Sequence, residues 1–145
     1  MDIYTRLKQD HRRQRELAAR LADTSGDSAD RQQLWQQFRA ELESHANAEE
    51  QTLYAALIER PEAQEKAQHS IAEHKEASDL IEELDDIDMS SPAWLQKFKQ
   101  LQDEVEHHLD EEEAEVFPLA SQLFDSSLAE HLGAKFDERK AAECA

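Results

Sequence analysis

The chain has 145 residues, with only two glycines and three prolines and with 34% charged side chains, which favours one domain built from long helices over a sheet-rich fold. Its formal net charge of -18 argues against binding to nucleic acid or to an anionic membrane, because both need clustered lysine and arginine. The single cysteine, Cys144, excludes a disulfide framework and a thiolate metal site.

The hydrophobic pattern predicts helices along nearly the whole chain, beginning with residues 2–23. A polar break that contains capping side chains separates this helix from a second one at about 28–59. Arg60 and Pro61 end the second helix. Proline is tolerated in a first helical turn, so a third helix can start there and extend over 61–87.

The second half of the chain begins with Pro92, which follows a serine cap and opens a fourth helix. Pro118 is expected to kink or end that helix, and a short fifth helix is predicted at about 127–141. Four long amphipathic helices joined by short breaks predict an all-α fold, an antiparallel up-down-up-down four-helix bundle over about 2–124. With the short C-terminal fifth helix, the whole chain 1–145 is expected to form a single domain.

The location and assembly of the chain follow from the same composition. The N-terminus lacks the apolar stretch of a signal peptide, and no segment approaches the roughly 18 uncharged residues of a membrane span. The sequence therefore predicts a cytoplasmic protein. Its strong negative charge favours a monomer at low salt.

One short motif occurs twice, as His45-Ala-Asn-Ala-Glu49-Glu50 and as His108-Leu-Asp-Glu-Glu112-Glu113. In each copy a histidine and a glutamate lie four residues apart, which places both on one face of a helix. In both helices that face is the apolar one, so the two side chains are expected to point into the core. A buried carboxylate is costly without a positive partner. The duplicated pair therefore predicts a metal site.

His11 and His74 occupy corresponding places in the apolar stripes of the first and third helices. Each long helix thus carries one inward histidine, and antiparallel packing brings all four to one level. A single inward histidine is usually a satisfied core residue, but four of them with two glutamates favour metal binding. The alternative is a bundle without metal, in which the buried imidazoles and carboxylates hydrogen-bond with one another.

The types of side chain indicate which metals suit the site. Imidazole and carboxylate without thiolate suit iron, manganese or zinc, and six ligands are too many for one tetrahedral zinc. We therefore expect two ions, one held by the histidines of the first two helices and the other by those of the third and fourth. Glu49 and Glu112 would bridge the two ions. Solvent, an oxo or hydroxo bridge, or a small diatomic molecule would complete the coordination.

Four further side chains are candidates for additional ligands or for outer partners of the ligands. His69 lies five residues before the third-helix histidine and points away from the stripe unless a local bulge turns it inward. His107 is expected at the rim of the site. Glu50 and Glu113 directly follow the bridging glutamates, and a solvated role is favoured for both. Tyr54 is expected to pack in the core.

These motifs resemble the hemerythrin-type domain, the HHE cation-binding family, over about residues 5–120. The resemblance rests on four short stretches: Asp10-His11, the motif from His45 to Glu50, Glu73-His74 and the motif from His108 to Glu113. It implies a four-helix bundle that holds a non-haem diiron centre. The positions that match the family's iron ligands are His11, His45, Glu49, His74, His108 and Glu112.

The chain departs at two points from the oxygen-carrying hemerythrins of invertebrates. Those proteins have a paired His-x-x-x-His on the third helix and an aspartate five residues after the fourth-helix histidine. Here Ser70 and Ser78 flank His74 at four residues, and the final carboxylate is Glu112, four residues after its histidine. One further ligand is therefore missing, replaced by water or supplied by a neighbour. This weighs against a pure oxygen-carrier role.

The resemblance implies a binding protein rather than an enzyme, with a diiron centre that binds or senses oxygen or nitric oxide in an apolar pocket. Two alternatives stay open. One is an iron donor for the repair of iron–sulfur centres, although related bundles of that kind commonly carry an additional cysteine-bearing segment. The other is a slow diiron redox enzyme that resembles a ferroxidase or peroxidase, although ferritin-like enzymes use Glu-x-x-His rather than His-x-x-x-Glu.

Overall fold

The structure is a computed structural model that describes residues 1–144, and within that range it is all-helical, without strands. The predicted all-α class is confirmed. No helix in the described range is long and apolar enough to cross a bilayer. The five helices are α1 (Ile3–Ala22), α2 (Ala29–Glu49, continued by Glu50–Tyr54 and Ala55–Leu57), α3 (Gln64–Asp85), α4 (Pro92–Glu111, continued by Glu112–Val116 and Phe117–Leu123) and α5 (Ser126–Cys144).

The helix boundaries follow the predicted signals with three differences. Ser28 and Ser91 cap α2 and α4 as expected, each accepting a hydrogen bond of 3.2 Å from a backbone amide. The third helix begins at Gln64 and not at Pro61, which lies in the turn before it. Pro118 does not end α4, because it follows a wide turn where the regular hydrogen-bond ladder is already interrupted. The fifth helix has 19 residues and is not short.

The hydrophobic residues form two cores, one at each end of the helices. The first joins the end of α1 to the start of α2 and the end of α3 to the start of α4, and it includes Leu21, Phe38, Leu84, Trp94 and Phe98. The second joins the opposite ends of the same helices to α5, and it includes Ile3, Leu57, Val116 and Phe136. The polar motifs lie between the two cores.

The fifth helix packs across α1 and α2 and closes the second core. Gly133 lies where α5 passes the N-terminus. A β-carbon at this position would lie 2.2 Å from the backbone carbonyl oxygen of Met1. The glycine is therefore required by the close approach of the two backbones.

We predict that Gly133→Ala destabilises the fold by about 1–3 kcal/mol, because a backbone atom blocks the added methyl group. Intrinsic helix propensity alone would favour alanine by about 1 kcal/mol, so a loss of stability identifies the contact as its cause. Urea unfolding of the two proteins measures the difference. Ala134→Ser, at the exposed neighbouring position, should change stability by less than about 0.5 kcal/mol. Unchanged or increased stability of Gly133→Ala would contradict the packing described.

Candidate metal centre

The six predicted ligands lie together between the two cores, in two overlapping groups of four. One group is His11, His45, Glu49 and Glu112, and the other is Glu49, His74, His108 and Glu112. Within each group the candidate ligand atoms all lie within 4.8 Å of one another. The two glutamates belong to both groups. The structure thus brings the six residues together between the two cores.

All four imidazoles direct Nε2 towards the two glutamates. Between helices, Nε2 of His11 lies 3.0 Å from Oε1 of Glu112, and Nε2 of His74 lies 3.2 Å from Oε1 of Glu49. Within α2 and within α4, the histidine Nε2 and the glutamate oxygen four residues later are 3.5 Å apart in both cases. Each glutamate therefore faces one histidine of its own helix and one of another helix.

Several of these buried atoms have no hydrogen-bond partner among residues 1–144. They are Nε2 of His11 and His45, both oxygens of Glu49 and Oε1 of Glu112. Nitrogen and oxygen are close enough for ion pairs but are not aligned as hydrogen bonds, so they point into a shared space. An unpaired buried polar atom costs about 1–3 kcal/mol. Cations between the two glutamates would remove this cost, and the donor set therefore fits metal ions.

A carboxylate holds each imidazole from its other side. The Nδ1–H groups donate hydrogen bonds in four pairs: His11 to Glu113 at 2.7 Å, His45 to Asp10 at 2.8 Å, His74 to Glu50 at 2.9 Å and His108 to Glu73 at 2.8 Å. Such a bond fixes the tautomer, leaves Nε2 free for a metal and increases its basicity as a ligand.

Two of these pairs correct the expectation from sequence. Glu50 and Glu113 are not simply solvated, since each lies at a half-buried position and accepts a hydrogen bond from a histidine of another helix. Asp10 and Glu73 were not identified as site residues at all. Each directly precedes a candidate ligand but supports the histidine of the following helix. Their position directly before a histidine could have marked them as site residues. Which histidine each one supports depends on the tertiary fold.

The two halves of the chain repeat this arrangement. Each candidate ligand and each supporting carboxylate in α1 and α2 has a counterpart in α3 and α4 at the same separation along the sequence. The two halves differ at an inward position beside the cluster. There Tyr54 in the first half corresponds to Phe117 in the second.

Wide helical turns at Glu50–Tyr54 and Glu112–Val116 bring an additional residue into each half of the site. Such turns occur mostly as single insertions in helices, frequently at functional sites. In a regular helix, a residue five positions after Glu49 would point away from it. The wide turn buries both Leu53 and Tyr54, four and five positions on. Sequence periodicity could not reveal this, because the apolar steps of three and four appear unbroken.

Tyr54 is fully buried, and its hydroxyl donates a hydrogen bond to Oε2 of Glu112. Burial raises the pKa of its phenol well above the ordinary value, and the nearby carboxylates of Glu112 and Glu49 raise it further. Phe117, the counterpart, stacks on the ring of His11 with ring centres 5.8 Å apart. The cluster therefore contains a phenol on one side only, a feature that the expected core-packing role for Tyr54 missed.

The electrostatics of the cluster come from carboxylates that stay ionised although they are buried. Burial opposes ionisation of Glu112, but the imidazoles of His108 and His11 beside it hold the pKa of its carboxyl well below the usual range. Burial likewise opposes protonation of His45, yet Glu49 and Asp10 outweigh it and raise its pKa to about 10. The buried carboxylates are thus balanced by protons on the imidazoles, which metal ions would displace on binding.

The fifth helix supports the first half of the site. Nζ of Lys140 donates hydrogen bonds of 2.8 Å to Asp10 and to Glu41. Arg6 of α1 binds the other oxygen of Asp10 at 2.6 Å, and the ring of Phe136 packs edge-on against His45. The carboxylate that orients His45 is therefore fixed by two permanent cations.

The second half of the site borders a cleft of about 710 Å³ between α2, α3 and α4. His74 and His108 line it, and their side chains are each 11% exposed, whereas the side chain of His11 is fully buried. Most of the apolar lining comes from Leu42, Ile71, Ile81, Val105 and Leu109. A small molecule can thus approach the cluster from this side, through a cleft where these apolar side chains lie beside acidic ones such as Glu43, Glu76 and Glu104.

The structure does not bring His69 or His107 to the buried cluster. Their side chains are 55% and 70% exposed, on the outer surface of α3 and α4. The helix α3 is regular at this point, so the bulge that would have turned His69 inward is not formed. Both imidazoles lie beside Glu73 and Glu111.

Comparison with known proteins agrees with this geometry. The family described as Hemerythrin HHE cation binding domain matches residues 2–120. The chain belongs to the hemerythrin HHE cation-binding family. A hemerythrin HHE cation-binding domain-containing protein from Mycobacterium kansasii has the same fold, with a TM-score of 0.88 at 24% identity over 99% of this chain and 87% of that one. The family assignment from sequence is confirmed, and the His and Glu clusters of this chain are able to hold metal.

A curated relative from Nostoc sp. is described as a DNA nickase. It is 27% identical to this chain over 141 residues. The match covers 97% of this chain but 40% of the relative. The chain therefore spans about two fifths of the length of that protein, which contains a large region with no counterpart here.

We predict that Asp10→Asn weakens metal binding by roughly 10–100-fold, because a neutral amide is a poorer acceptor for the Nδ1–H of His45 and loses its ion pairs with Arg6 and Lys140. Competition with a chelator of known affinity measures the change. Glu16→Gln, which removes an exposed carboxylate from the same helix, is the matched control and should bind as the unmodified chain does. Equal affinity of Asp10→Asn and the control would rule out the supporting role.

Proposed function

We propose that this chain is a non-haem diiron protein of the hemerythrin type, an antiparallel up-down-up-down four-helix bundle whose buried cluster holds two iron ions. The observation that supports it best is the pair of four-residue groups that share two buried glutamates with unpartnered atoms. Two histidines would bind each ion, and Glu49 and Glu112 would bridge them. Neutral imidazole and carboxylate ligands without thiolate suit iron.

The proposed activity is binding or sensing of a small diatomic molecule, oxygen or nitric oxide. Iron in this cluster would supply redox-active coordination to such a ligand. The chain's own residues supply the surroundings: the cleft between α2, α3 and α4 provides access, and its apolar side chains limit the entry of water. The full burial of His11 and Glu49 leaves the side of His74 and His108 as the approach.

Tyr54 is proposed to take the place of the ligand that the sequence left missing. Its hydroxyl lies against Glu112, inside the cluster, whereas His69 lies outside it. A phenol oxygen at this point can bind a cation directly or donate its proton to Glu112. In both cases only one half of the cluster has a phenol oxygen, because the residue that corresponds to Tyr54 in the other half is Phe117, which has no polar side-chain atom.

Freshly purified protein is expected to contain about two iron ions per chain, as two overlapping ligand groups require. Its absorption spectrum should change when the reduced protein meets air or nitric oxide, and the change with oxygen should reverse on deoxygenation. Elemental analysis with anaerobic spectroscopy makes both measurements. A reduced, iron-loaded protein whose spectrum responds to neither gas would contradict the binding or sensing role while leaving the metal site intact.

Glu112→Ala is expected to reduce the iron content and to lower the melting temperature of the purified protein, because both ligand groups lose the same carboxylate. Elemental analysis and thermal unfolding measure the two effects. Glu115→Ala, an exposed change one turn away, serves as the control. Full iron content and an unchanged melting temperature in Glu112→Ala would show that the carboxylate does not bridge.

Tyr54→Phe is expected to alter the visible spectrum and the redox behaviour of the iron-loaded protein while retaining most of the iron, since the six other donors remain. Tyr4→Phe is a matched control, because the ring of Tyr4 packs against Phe117 and its buried hydroxyl makes no hydrogen bond among the described residues. Spectra of the two variants at equal iron content provide the comparison. Identical spectra for Tyr54→Phe and the unmodified protein would exclude contact between the phenol and the metals.

A second candidate is a slow diiron redox enzyme, similar to a ferroxidase or peroxidase. The buried phenol of Tyr54 favours it, because a tyrosine beside a metal centre can donate a proton from its hydroxyl oxygen. Turnover of ferrous iron or hydrogen peroxide beyond two equivalents per chain would support this candidate over simple binding. DNA cleavage is not proposed, since the match covers 40% of the nickase and a net charge of -18 disfavours binding to DNA.

A further inference from the structure

A second cluster of metal-ligating side chains lies on the surface, outside the buried centre, where α3 and α4 face each other. Each helix contributes a histidine and a glutamate four residues apart, His69 with Glu73 and His107 with Glu111. This spacing places both side chains of a pair on one face of the helix. The two pairs therefore meet across the groove between the helices.

The four side chains converge closely. Nε2 of His69 lies 3.4 Å from Glu73 and 3.1 Å from Glu111, and Nε2 of His107 lies 3.1 Å from Glu111 and 3.9 Å from Glu73. Three candidate ligand atoms, one each from His69, Glu73 and Glu111, all lie within 4.8 Å of one another. The glutamates are only 14% and 23% exposed, so they are held in the groove rather than extended into solvent.

The internal repeat allows the surroundings of Glu73 to be compared with those of the corresponding carboxylate in the first half of the chain. In the first half of the chain the residue that corresponds to Glu73 is Asp10, and its oxygens are neutralised by Arg6 at 2.6 Å and Lys140 at 2.8 Å. His69 stands where Arg6 stands in that half. Across the described residues, the ion-pair partners of Glu73 are histidines alone. Asp10 is thus neutralised by an arginine and a lysine. Glu73 instead lies beside histidines, which can bind an exchangeable metal ion.

We propose that His69, Glu73, His107 and Glu111 form a surface site for a divalent first-row transition ion, distinct from the buried centre. Two imidazoles and two carboxylates without thiolate are the ligands of zinc and ferrous iron sites. The exposure of both imidazoles makes the ion exchangeable with solvent. The charge of -18 raises the local concentration of cations around the protein.

Glu73 connects the surface site to the buried one. Its Oε1 accepts the hydrogen bond from Nδ1 of His108, and its Oε2 faces His69 and His107. An ion at the surface therefore shares a carboxylate with the support of a buried histidine. This places the surface site next to the cleft side of the centre, where small molecules approach.

Titration of the iron-loaded protein with Zn²⁺, followed by calorimetry, tests the proposal. The unmodified chain should bind one zinc ion without loss of iron. Glu111→Gln and His69→Ala should each weaken that binding by roughly tenfold or more, since each removes a direct ligand. Both side chains lie at the surface and contact no candidate ligand of the buried centre, so iron content and melting temperature should be unchanged.

His131→Ala is the control, because it removes an exposed histidine that lies outside the cluster, on α5. It should bind zinc as the unmodified chain does. The proposal is overturned if the unmodified chain binds no zinc, if zinc binds only by displacing the buried metal, or if Glu111→Gln binds it with unchanged affinity. The comparison between variants does not depend on which metal fills the buried centre, so it is separate from the test of the diiron proposal.

Discussion

Four hydrogen bonds from imidazole Nδ1–H groups to carboxylates determine the arrangement of this molecule's interior. Each bond crosses from one helix to another, so it fixes a histidine ring and ties two helices together. Because every Nδ1 is engaged outward, every Nε2 points inward, towards Glu49 and Glu112. The result is a buried set of six candidate ligands, in which five atoms of His11, His45, Glu49 and Glu112 have no hydrogen-bond partner among the described residues and could be satisfied by cations. The same four hydrogen bonds therefore stabilise the fold and orient the histidines of the site.

The rest of the structure supports this arrangement of histidines and carboxylates. Two hydrophobic cores hold the ends of the helices, so the polar layer between them can be built from charged groups without loss of the bundle. The wide turns after the two glutamates change the register of α2 and α4 and admit Tyr54 on one side and Phe117 on the other. The fifth helix neutralises Asp10 through Lys140. These differences make the two halves chemically unequal although their ligand positions repeat.

The sequence predicts the helices and the convergence of six polar side chains in the interior, because both depend on local spacing along an amphipathic helix. It does not predict which carboxylate supports which histidine, since Asp10 and Glu50 each act on another helix. Tyr54 was missed for a different reason: a wide turn changes which residues face inward without disturbing the apolar steps of three and four. The length of α5 depends on contacts with α1 and α2 that no local signal encodes.

X-ray diffraction from crystals of the purified protein, recorded on both sides of the iron absorption edge, tests the central claim most directly. The account predicts two anomalous peaks between Glu49 and Glu112, one beside His11 and His45 and the other beside His74 and His108. A single peak, or peaks outside this cluster, would contradict the assignment of the six residues to a centre of two metal ions. If another metal occupied the same two positions instead of iron, the account of the site would stand, but its identity as a diiron centre would be refuted.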